Sequence, residues 1–311
     1  MIVSAHHMLL FIEQLLNGLQ LGVMLFLMSA GLTLVFGIMR VINLAHGSLY
    51  MIGAYVAATV ANATGSFFLG LLVALPAAAL VGMLMEVVVL RRLYDSDHLD
   101  QVLATFGLIL FFNELTRIIW GRQPLFMDVP SWLSGTVEVI PGVPYPAYRL
   151  AIIVVGVMVG IFLYLLFTRT RLGMRIRAGA VNREMVAALG VNIKLLYTLV
   201  FGLGALLAGL AGVMAGPIFA VESGMGESIL ILTFVVIVIG GIGSTRGAMV
   251  AALMVGMVDT LGRIFLPDLL RLFCSSAVAD GVGGSLASMS VYILMSAILI
   301  WRPQGLFPKQ G

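Results

Sequence analysis

The side chains of this chain that could do chemistry are mostly hydrogen-bonding groups set among apolar residues. Two glycine-flanked stretches carry them, at Asn43, His46, Ser48, Tyr50, Glu227 and Ser228. Such groups donate and accept hydrogen bonds, and polar residues at membrane depth usually mark a pathway for a polar solute. The alternative role is structural, because the same side chains can satisfy backbone groups that a broken helix leaves free, with Ser48 capping the helix that follows.

A catalytic or nucleotide site is not expected. The chain has one cysteine, Cys274, and four histidines, His6, His7, His46 and His98. These are too scattered for a metal cluster or for a convergent acid, base and nucleophile set. A phosphate-binding loop ends in Gly-Lys followed by Ser or Thr, whereas Lys194 follows an isoleucine and Lys309 follows a proline. The sequence therefore predicts no catalytic residue, metal or cofactor, and any fuel has to be consumed by another subunit.

The elements that must position the polar residues are membrane-spanning helices. Hydrophobic residues make up 61% of the 311-residue chain and charged residues 10%, with a mean hydropathy of +1.13, whereas a soluble domain has about 25% charged residues. Because lipid offers no partner to backbone amides and the apolar runs lack the alternation of a membrane barrel, the spans are expected to be helices.

Apolar runs long enough to cross a hydrocarbon core of roughly 30 Å give the expected architecture. They lie near 12–36, 47–62, 67–91, 101–120, 148–168, 194–218, 228–242, 247–266 and 285–301. We expect a single domain over residues 1–311, an all-α polytopic transmembrane helical bundle of about nine spans, within a range of eight to ten.

The distribution of basic residues predicts the orientation. The longest polar interruption, 168–194, contains Arg169, Arg171, Arg175, Arg177, Arg183 and Lys194. By the positive-inside rule this loop faces the cytoplasm, which places the N-terminus outside, the C-terminus inside and the proline-rich loop 121–149 on the outer face. That outer loop is either a cap with a docking surface or a stiff connector.

Since the placement of basic residues matters more than their sum in a membrane protein, the formal charge of +3 does not indicate a nucleic-acid partner.

One short helix is expected inside the basic loop. Asn182 can cap it, Glu184 lies in its first turn where a negative charge is favourable, and Gly190 can close it. The result is a two-turn helix over 183–189, far too short to cross a membrane. Its apolar face comprises Met185, Val186 and Leu189. Such a helix can fill a groove in a partner protein or lie on anionic lipid headgroups.

The chain also contains a loose internal repeat. The echoed segments are 47–55 with 227–235, 64–66 with 243–245, and 82–91 with 256–263. In the expected topology the two short, glycine-interrupted spans 47–62 and 228–242 run in opposite directions, as an inverted repeat requires. Short or broken helices at matching places in two halves indicate a translocation pathway near the membrane midplane.

Ionisable residues within the spans leave a second class of transporter open. Three acids lie close in sequence to an arginine: Glu86 with Arg91, Glu114 with Arg117, and Asp259 with Arg263. Because these acids also lie toward the predicted span ends, we expect them to form structural ion pairs or to lie at the level of the lipid headgroups. The rival hypothesis is an ion-coupled secondary carrier, since proton- or sodium-driven carriers keep such groups deep within their spans.

Four motifs together resemble one transporter family. They are "INLAHGSLYMIGAY", "RTRLGMRIRAGAVNREMVAALGVN", "VIGGIGSTRGAMVAALMVG" and "RPQGLF". In this order they resemble the permease subunits of the branched-chain amino acid ABC importers, a family that includes urea and short-amide relatives. The resemblance extends from about Leu15 to Phe307.

The resemblance implies a function and a set of partners. The solute would be a branched-chain or other hydrophobic amino acid, with urea, a short amide or another small organic acid as the alternative. The chain itself would not be an enzyme, because a separate cytoplasmic ATPase would hydrolyse ATP. A second permease subunit, similar or identical, and an extracytoplasmic solute-binding protein would complete the importer in the inner (plasma) membrane.

The resemblance also implies a role for the short helix of the basic loop. Coupling helices of such permeases insert into a cleft of the ATPase, which assigns this role to the segment from Asn182 to Gly190. The polar contacts would come from Arg183 and Glu184, and the packing contacts from Met185, Ala187 and Leu189.

Overall fold

Long helices make up most of the chain in a computed structural model, which describes residues 2–307 and their side chains from residue 8 onward, except at positions 140 and 280. The helices are α1 (Ile2–Met39), α2 (His46–Thr64), α3 (Phe67–Val88), α4 (His98–Trp120), α5 (Ala147–Arg169), α6 (Arg171–Val181), α7 (Arg183–Ala188), α8 (Ile193–Ala215), α9 (Met225–Gly240), α10 (Thr245–Leu270) and α11 (Ser276–Trp301). The sequence-based statements about Lys309 and the side chains of His6 and His7 lie outside the described residues.

Each predicted span corresponds to one of the long helices, which confirms the all-α polytopic bundle. Seven of these helices are long and apolar enough to cross a membrane. The two remaining ones, α2 and α9, have 19 and 16 residues and correspond to the short spans expected at matching places in the two halves. The number of nine crossings therefore stays a prediction.

The helix order occurs twice along the chain. Helices α2, α3 and α4 begin at residues 46, 67 and 98, and α9, α10 and α11 begin at residues 225, 245 and 276, an offset of 178 or 179 residues in each case. The turn that opens α3 is also repeated before α10. Ser66 and Ser244 cap the two helices through their side-chain oxygens, and Gly65 and Gly243 precede them with φ angles of 70° and 83°.

This register supports two of the predicted echoes and corrects the third. The segments 64–66 and 243–245 belong to the same turn but are paired one residue out of register, because Gly65 and Ser66 match Gly243 and Ser244. The starts of 47–55 and 227–235 also lie within one residue of equivalent positions. The similarity between 82–91 and 256–263 is out of register, because position 82 is 15 residues into α3 and position 256 is only 11 residues into α10. The two segments resemble each other in sequence but do not occupy equivalent positions in the two halves.

Two helices form the centre of the bundle. The apolar window is 83% buried in α1 and 78% buried in α8, against 22% to 28% in the other long apolar helices. Helix α1 packs on α10, α8 packs on α3, and α1 and α8 cross each other, which is the pattern that a two-fold repeat produces. At this crossing Gly31 and Gly204 bring their backbones together, and a Cβ on either one would approach a carbonyl of the other within 3.0 Å.

One end of the bundle, the hairpin end, is covered by the predicted outer loop. Within 121–149 the chain forms an antiparallel hairpin of β1 (Thr136–Ile140) and β2 (Val143–Pro146), which the all-α prediction missed. The Tyr145 hydroxyl and the Arg149 guanidinium donate to the Asn17 side-chain oxygen of α1 at 3.1 and 2.7 Å. The loop is thus an ordered cap attached to the N-terminal half of α1 at Asn17.

The opposite end, the α6 end, contains the basic loop and the C-terminal segment. The sequence predicted only one short helix there, but α6 precedes it, capped by the Thr170 hydroxyl. The amides of Leu306 and Phe307 donate to the carbonyls of Ile239 and Gly240 at 2.9 and 3.1 Å. The "RPQGLF" motif therefore supplies partners for the last carbonyls of α9, which a helix end leaves free.

Candidate functional site

The first half of the candidate site is a turn that re-enters the bundle. Helix α1 ends at Met39, and Arg40 follows with a φ of 56°, a conformation that commonly ends a helix. After six residues α2 begins at His46, whose Nε2 lies 3.2 Å from the carbonyl oxygen of Met28. Met28 is 11 residues from both Asn17 at the hairpin end and Met39 at the α6 end, or about 16 Å along the helix in each direction. Helix α2 therefore starts near the midplane of the bundle.

The second half of the site is a turn that enters from the hairpin end. Val221 pairs with Leu125 of the cap in an isolated β-bridge. Gly224 then adopts a φ of 92°, and α9 begins at Met225. The amide of Gly224 points to the Met51 sulfur at 3.4 Å, which places the start of α9 beside α2.

The first turns of α2 and α9 touch through backbone atoms, and we call this the midplane contact. A Cβ at Gly47 would collide with the carbonyl group of Gly226, and a Cβ at Gly226 would collide with that of Gly47. From this contact α2 runs to the hairpin end, where the Asn62 amide donates to the Phe126 carbonyl at 3.0 Å, and α9 runs to the α6 end. Two helix N-termini, each carrying a partial positive charge, thus meet at mid-depth.

Four of the predicted pathway residues are buried within the chain. They are Asn43, His46, Ser48 and Tyr50, with 0%, 0%, 4% and 4% of their surface exposed. The prediction that Ser48 caps α2 is wrong, because the helix begins two residues earlier and Ala45 holds the cap position without a side-chain bond. The His46 ring contacts an α1 carbonyl, as the structural alternative predicted, whereas the Asn43 amide has no hydrogen-bond partner among the described residues.

The remaining two, Glu227 and Ser228, are exposed on the surface of the chain. The Glu227 carboxylate accepts a hydrogen bond of 2.6 Å from Asn113 of α4, a residue that the sequence analysis missed. Ser48, Asn113 and Glu227 line a cavity of about 10 Å³ at the midplane contact, roughly room for one water. The structure thus brings Ser48 and Glu227 together at this cavity, and the other four predicted residues do not line it: Asn43, His46, Tyr50 and Ser228.

The depth of Glu227 restricts what can cover it. It lies 13 residues before Gly240, the end of α9 at the α6 end, or about 20 Å along the helix. An ionised side chain at membrane depth faces a bundle interior or a water-filled space and not the acyl chains. The surface around Glu227 therefore faces water or another subunit.

The predicted short helix is present as α7. The Asn182 side chain accepts from the amide of Met185 at 2.9 Å, and Gly190 closes the segment with a φ of 84°. Of the predicted apolar face, only Val186 is buried, while 63% of Met185 and 78% of Leu189 are exposed. Two apolar side chains consequently point away from the protein on the most basic segment of the chain.

Helix α7 lies next to the start of the re-entrant turn. A polar cavity of about 350 Å³ is lined by Asn182, Arg183 and Glu184 together with Arg40 and Tyr94. The Arg183 guanidinium lies 3.5 Å from the Asp95 carboxylate, but both side chains are exposed, and such a pair contributes about 0 to 1 kcal/mol. Helix α7 is therefore held in place mainly by its cap and by Val186.

A buried carboxylate joins the helices behind α7. Glu86 of α3 is fully buried and accepts hydrogen bonds from Arg91, Tyr94 and Thr198 of α8. These bonds raise the pKa of Arg91, and burial together with the Glu86 bond raises the pKa of Tyr94. The pair of Glu86 with Arg91 confirms a predicted structural ion pair. The same holds for Glu114 with Arg117 and Asp259 with Arg263.

Comparison with known proteins gives the family. Residues 14–300 match the family of the branched-chain amino acid transport system permease component. The chain is 31% identical to the high-affinity branched-chain amino acid transport system permease protein BraD of Pseudomonas aeruginosa over 96% of both chains. It is 29% identical to the permease protein LivH of the corresponding system of Escherichia coli K12, over 95% of this chain and 97% of the relative. The probable branched-chain amino acid transport permease protein LivH of Methanocaldococcus jannaschii is 27% identical over 91% and 88%.

No solved structure gives a significant match to the chain. The family match and the relatives cover nearly the whole sequence, and they confirm the resemblance that the four motifs carry. The chain belongs to the family of branched-chain amino acid transport system permease components.

Proposed function

We propose that this permease moves a branched-chain or other hydrophobic amino acid into the cytoplasm as part of an ABC importer in the inner membrane. The relatives named above are permeases for such solutes. A second permease subunit, similar or identical, would enclose the pathway with this one. Separate ATPase subunits would supply the energy, and an extracytoplasmic binding protein would deliver the solute to the hairpin end.

The observation that carries the proposed pathway is the exposed Glu227 beside the midplane contact. A hydrophobic amino acid presents an ammonium group and an apolar side chain. The Glu227 carboxylate matches the ammonium, and the exposed side chains of Leu110 and Ile231, which are three residues before Asn113 and four after Glu227, offer an apolar surface. We infer that the solute passes this point with its ammonium next to Glu227 and that Ser48 and Ser228 contribute hydrogen bonds.

Orientation follows from the basic residues at the α6 end. Arginines of the basic loop, Arg40 and Arg246 lie at this end, and the positive-inside rule makes it cytoplasmic. The hairpin end then faces outward, where the cap formed by β1 and β2 would meet the binding protein. The N-terminal part of α1 and the C-terminal segment lie at opposite ends, as the expected orientation requires.

Helix α7 is the proposed docking site for the ATPase. Exposed Met185, Ala187 and Leu189 would enter its cleft, with Arg183 and Glu184 making polar contacts at the rim. Movement of α7 would reach the Arg40 turn across the polar cavity they share. Each transport state would be selected by the difference in contact energy between the ATPase and the two forms of the permease.

Glu227→Gln tests the pathway. The neutral amide keeps the shape but loses the charge that pairs with the ammonium, so we expect uptake of leucine into proteoliposomes with ATPase and binding protein to fall about tenfold or more. Glu222→Gln is the matched control, because Glu222 is an exposed acid five residues earlier, before the turn at Gly224. Co-purification of the ATPase should be unchanged in both variants.

Two results would refute the proposal. Uptake by Glu227→Gln equal to that of Glu222→Gln would remove Glu227 from the pathway. Uptake by the purified permease alone under a proton or sodium gradient would instead support the ion-coupled carrier and exclude an obligatory ATPase.

A further inference from the structure

A third cavity, larger than the two described above, lies away from the midplane contact. Its volume is about 480 Å³, within the range of 300 to 1,000 Å³ that small-molecule sites occupy. Helix α1 forms its floor between Phe26 and Ile38, α5 forms one wall, and the start of α10 forms the other. Tyr164 and Met249 on these two walls are exposed, so the cavity is a cleft between α5 and α10 that opens to the outside of the bundle.

The length and depth of the cleft match one leaflet of a bilayer. From Phe26 to Ile38 the floor extends 12 residues, or about 18 Å of helix, and half of the hydrocarbon core is about 15 Å. The cleft starts at the α6 end, next to Met39, and reaches the level just beyond Met28, which lies midway between Asn17 and Met39. It therefore spans the membrane half on the side of the basic loop and little of the other half.

Charge is concentrated at one end of the cleft. Arg177 of α6 and Arg246 at the start of α10 both line it and are exposed, and no carboxylate among the described residues lies within 4.0 Å of either one. Ser244 and Thr245 add hydroxyl groups next to them. Two arginines that line the same end of a cleft, with hydroxyl groups beside them, are a favourable site for a phosphate group.

A polar group inside the cleft is also unpaired. Thr33 of α1 is 1% exposed and lines the cleft, and its hydroxyl has no hydrogen-bond partner among the described residues. By contrast, Thr59 in α2 and Thr233 in α9 each donate to the carbonyl four residues earlier in the same helix. Thr33 lies six residues from the end of α1, about 9 Å below it, where an ester carbonyl of a lipid can accept its proton.

We propose that this cleft binds one anionic phospholipid of the leaflet on the α6 side. An acyl chain lies along α1 between α5 and α10, and the phosphate contacts Arg177 and Arg246. Three features of the cleft favour a lipid. It opens to the outside of the bundle, it is as long as one leaflet, and its walls are apolar while one end is cationic. Because Ile176, Arg177 and Ala180 belong to the helix that leads into α7, the lipid also supports the base of α7.

The test measures which phospholipid stays with the protein. The permease is reconstituted in vesicles of equal parts phosphatidylethanolamine and phosphatidylglycerol, extracted in mild detergent, and the bound lipid is quantified by mass spectrometry. Two variants test the two ends of the site separately. Arg177→Gln with Arg246→Gln removes the cationic end, and Gly160→Leu fills the apolar part, because a Cβ at Gly160 has its nearest neighbour, Phe26, at 3.8 Å.

The expected result is enrichment of phosphatidylglycerol on the native chain, a loss of about fivefold per arginine removed, and a loss of similar size for Gly160→Leu. The control is Arg169→Gln with Arg175→Gln, which removes two charges from the same loop outside the cleft and should retain the lipid. Elution volume in size-exclusion chromatography confirms that each variant is folded.

Three outcomes would overturn the proposal. Equal retention of both phospholipids by the native chain would show that the site does not select anionic lipid. Full retention by Gly160→Leu would show that the headgroup adsorbs to surface arginines without a chain in the cleft. Displacement of the lipid by excess inorganic phosphate would identify a phosphate site instead of a lipid site.

Discussion

The midplane contact and α7 are the two parts of this permease that depend most on a few residues, and they are built in opposite ways. At the midplane contact, backbone meets backbone at Gly47 and Gly226, with Asn43, His46 and Ser48 buried around it and Glu227 exposed beside it. At α7, one capping bond and one buried valine hold a helix whose other side chains face outward. The first region leaves no space for added atoms, and the second leaves its contact groups free for a partner.

This difference is consistent with the two roles proposed above. A transport pathway has to change shape between discrete packed arrangements, and close-packed helices provide such arrangements because cores are not continuously deformable. A docking element has to keep its shape and expose its apolar groups. Substitutions at the midplane contact should therefore act on folding and transport together, whereas substitutions on α7 should act on assembly alone.

The largest effect is expected from Gly47→Ala. The added methyl group would collide with the Gly226 carbonyl, and because this neighbour is backbone and not a flexible side chain, we expect a loss of at least the 1 to 3 kcal/mol typical of overpacking. Thermal unfolding in detergent, followed by size-exclusion chromatography, should show a lower midpoint and less monodisperse protein.

Gly107→Ala is the matched control for this substitution. Gly107 also lies within a helix, α4, but a Cβ there meets no atom within 4 Å, and alanine is the better helix former. We expect unchanged or slightly raised stability. Equal stability of the two alanine variants would mean that the backbones at the midplane contact are farther apart than the structure has them.

The second largest effect is expected from replacing Met185 and Leu189 together by serine. Both side chains are more than half exposed, so the free energy of unfolding should change little, within about 0.5 kcal/mol. Loss of two apolar anchors from an interface costs several kcal/mol in favourable cases, and we expect the co-purified ATPase to fall about tenfold or more.

Met174→Ser distinguishes docking from a general loss of apolar surface. Met174 is 53% exposed on α6, in the same basic loop but outside α7, and its replacement should leave the ATPase bound. Reduced binding in both cases, to the same extent, would argue that the ATPase contacts the whole loop and not α7.

The two regions also differ in how far the sequence predicts them. Asn182, Glu184 and Gly190 define α7 almost to the residue, because capping and helix ends depend on neighbours in sequence. The sequence does not predict α6, because its several arginines are typical of a polar loop. The features that indicate a helix there are few, namely the Thr170 cap and the buried Ile176. The β-hairpin was missed because its prolines indicated a loop and its docking partner, Asn17, is more than a hundred residues away.

The midplane contact was predicted only as a location. Short glycine-interrupted spans at matching places in the two halves indicated a pathway near the midplane, but not that α2 and α9 touch at Gly47 and Gly226. The sequence could not show which polar residues face inward, because Ser48 became part of the first turn once α2 began at His46. Asn113 belongs to the site only through the fold, since its bond to Glu227 joins two helices far apart in sequence.

The smallest effect is expected from Asn182→Ala, which tests whether α7 must be preformed for docking. The substitution removes the bond to the Met185 amide, and loss of such a cap costs about 0.5 to 2 kcal/mol of helix stability. The helix is six residues long and has little other support, so part of this cost should appear in ATPase affinity, as a decrease of about two- to tenfold. Asn182→Asp restores a capping oxygen and should restore binding. If the alanine and aspartate variants bind the ATPase equally well, α7 folds on its partner and not before it, and the contrast between a docking helix that keeps its shape and a close-packed pathway that changes shape would be wrong.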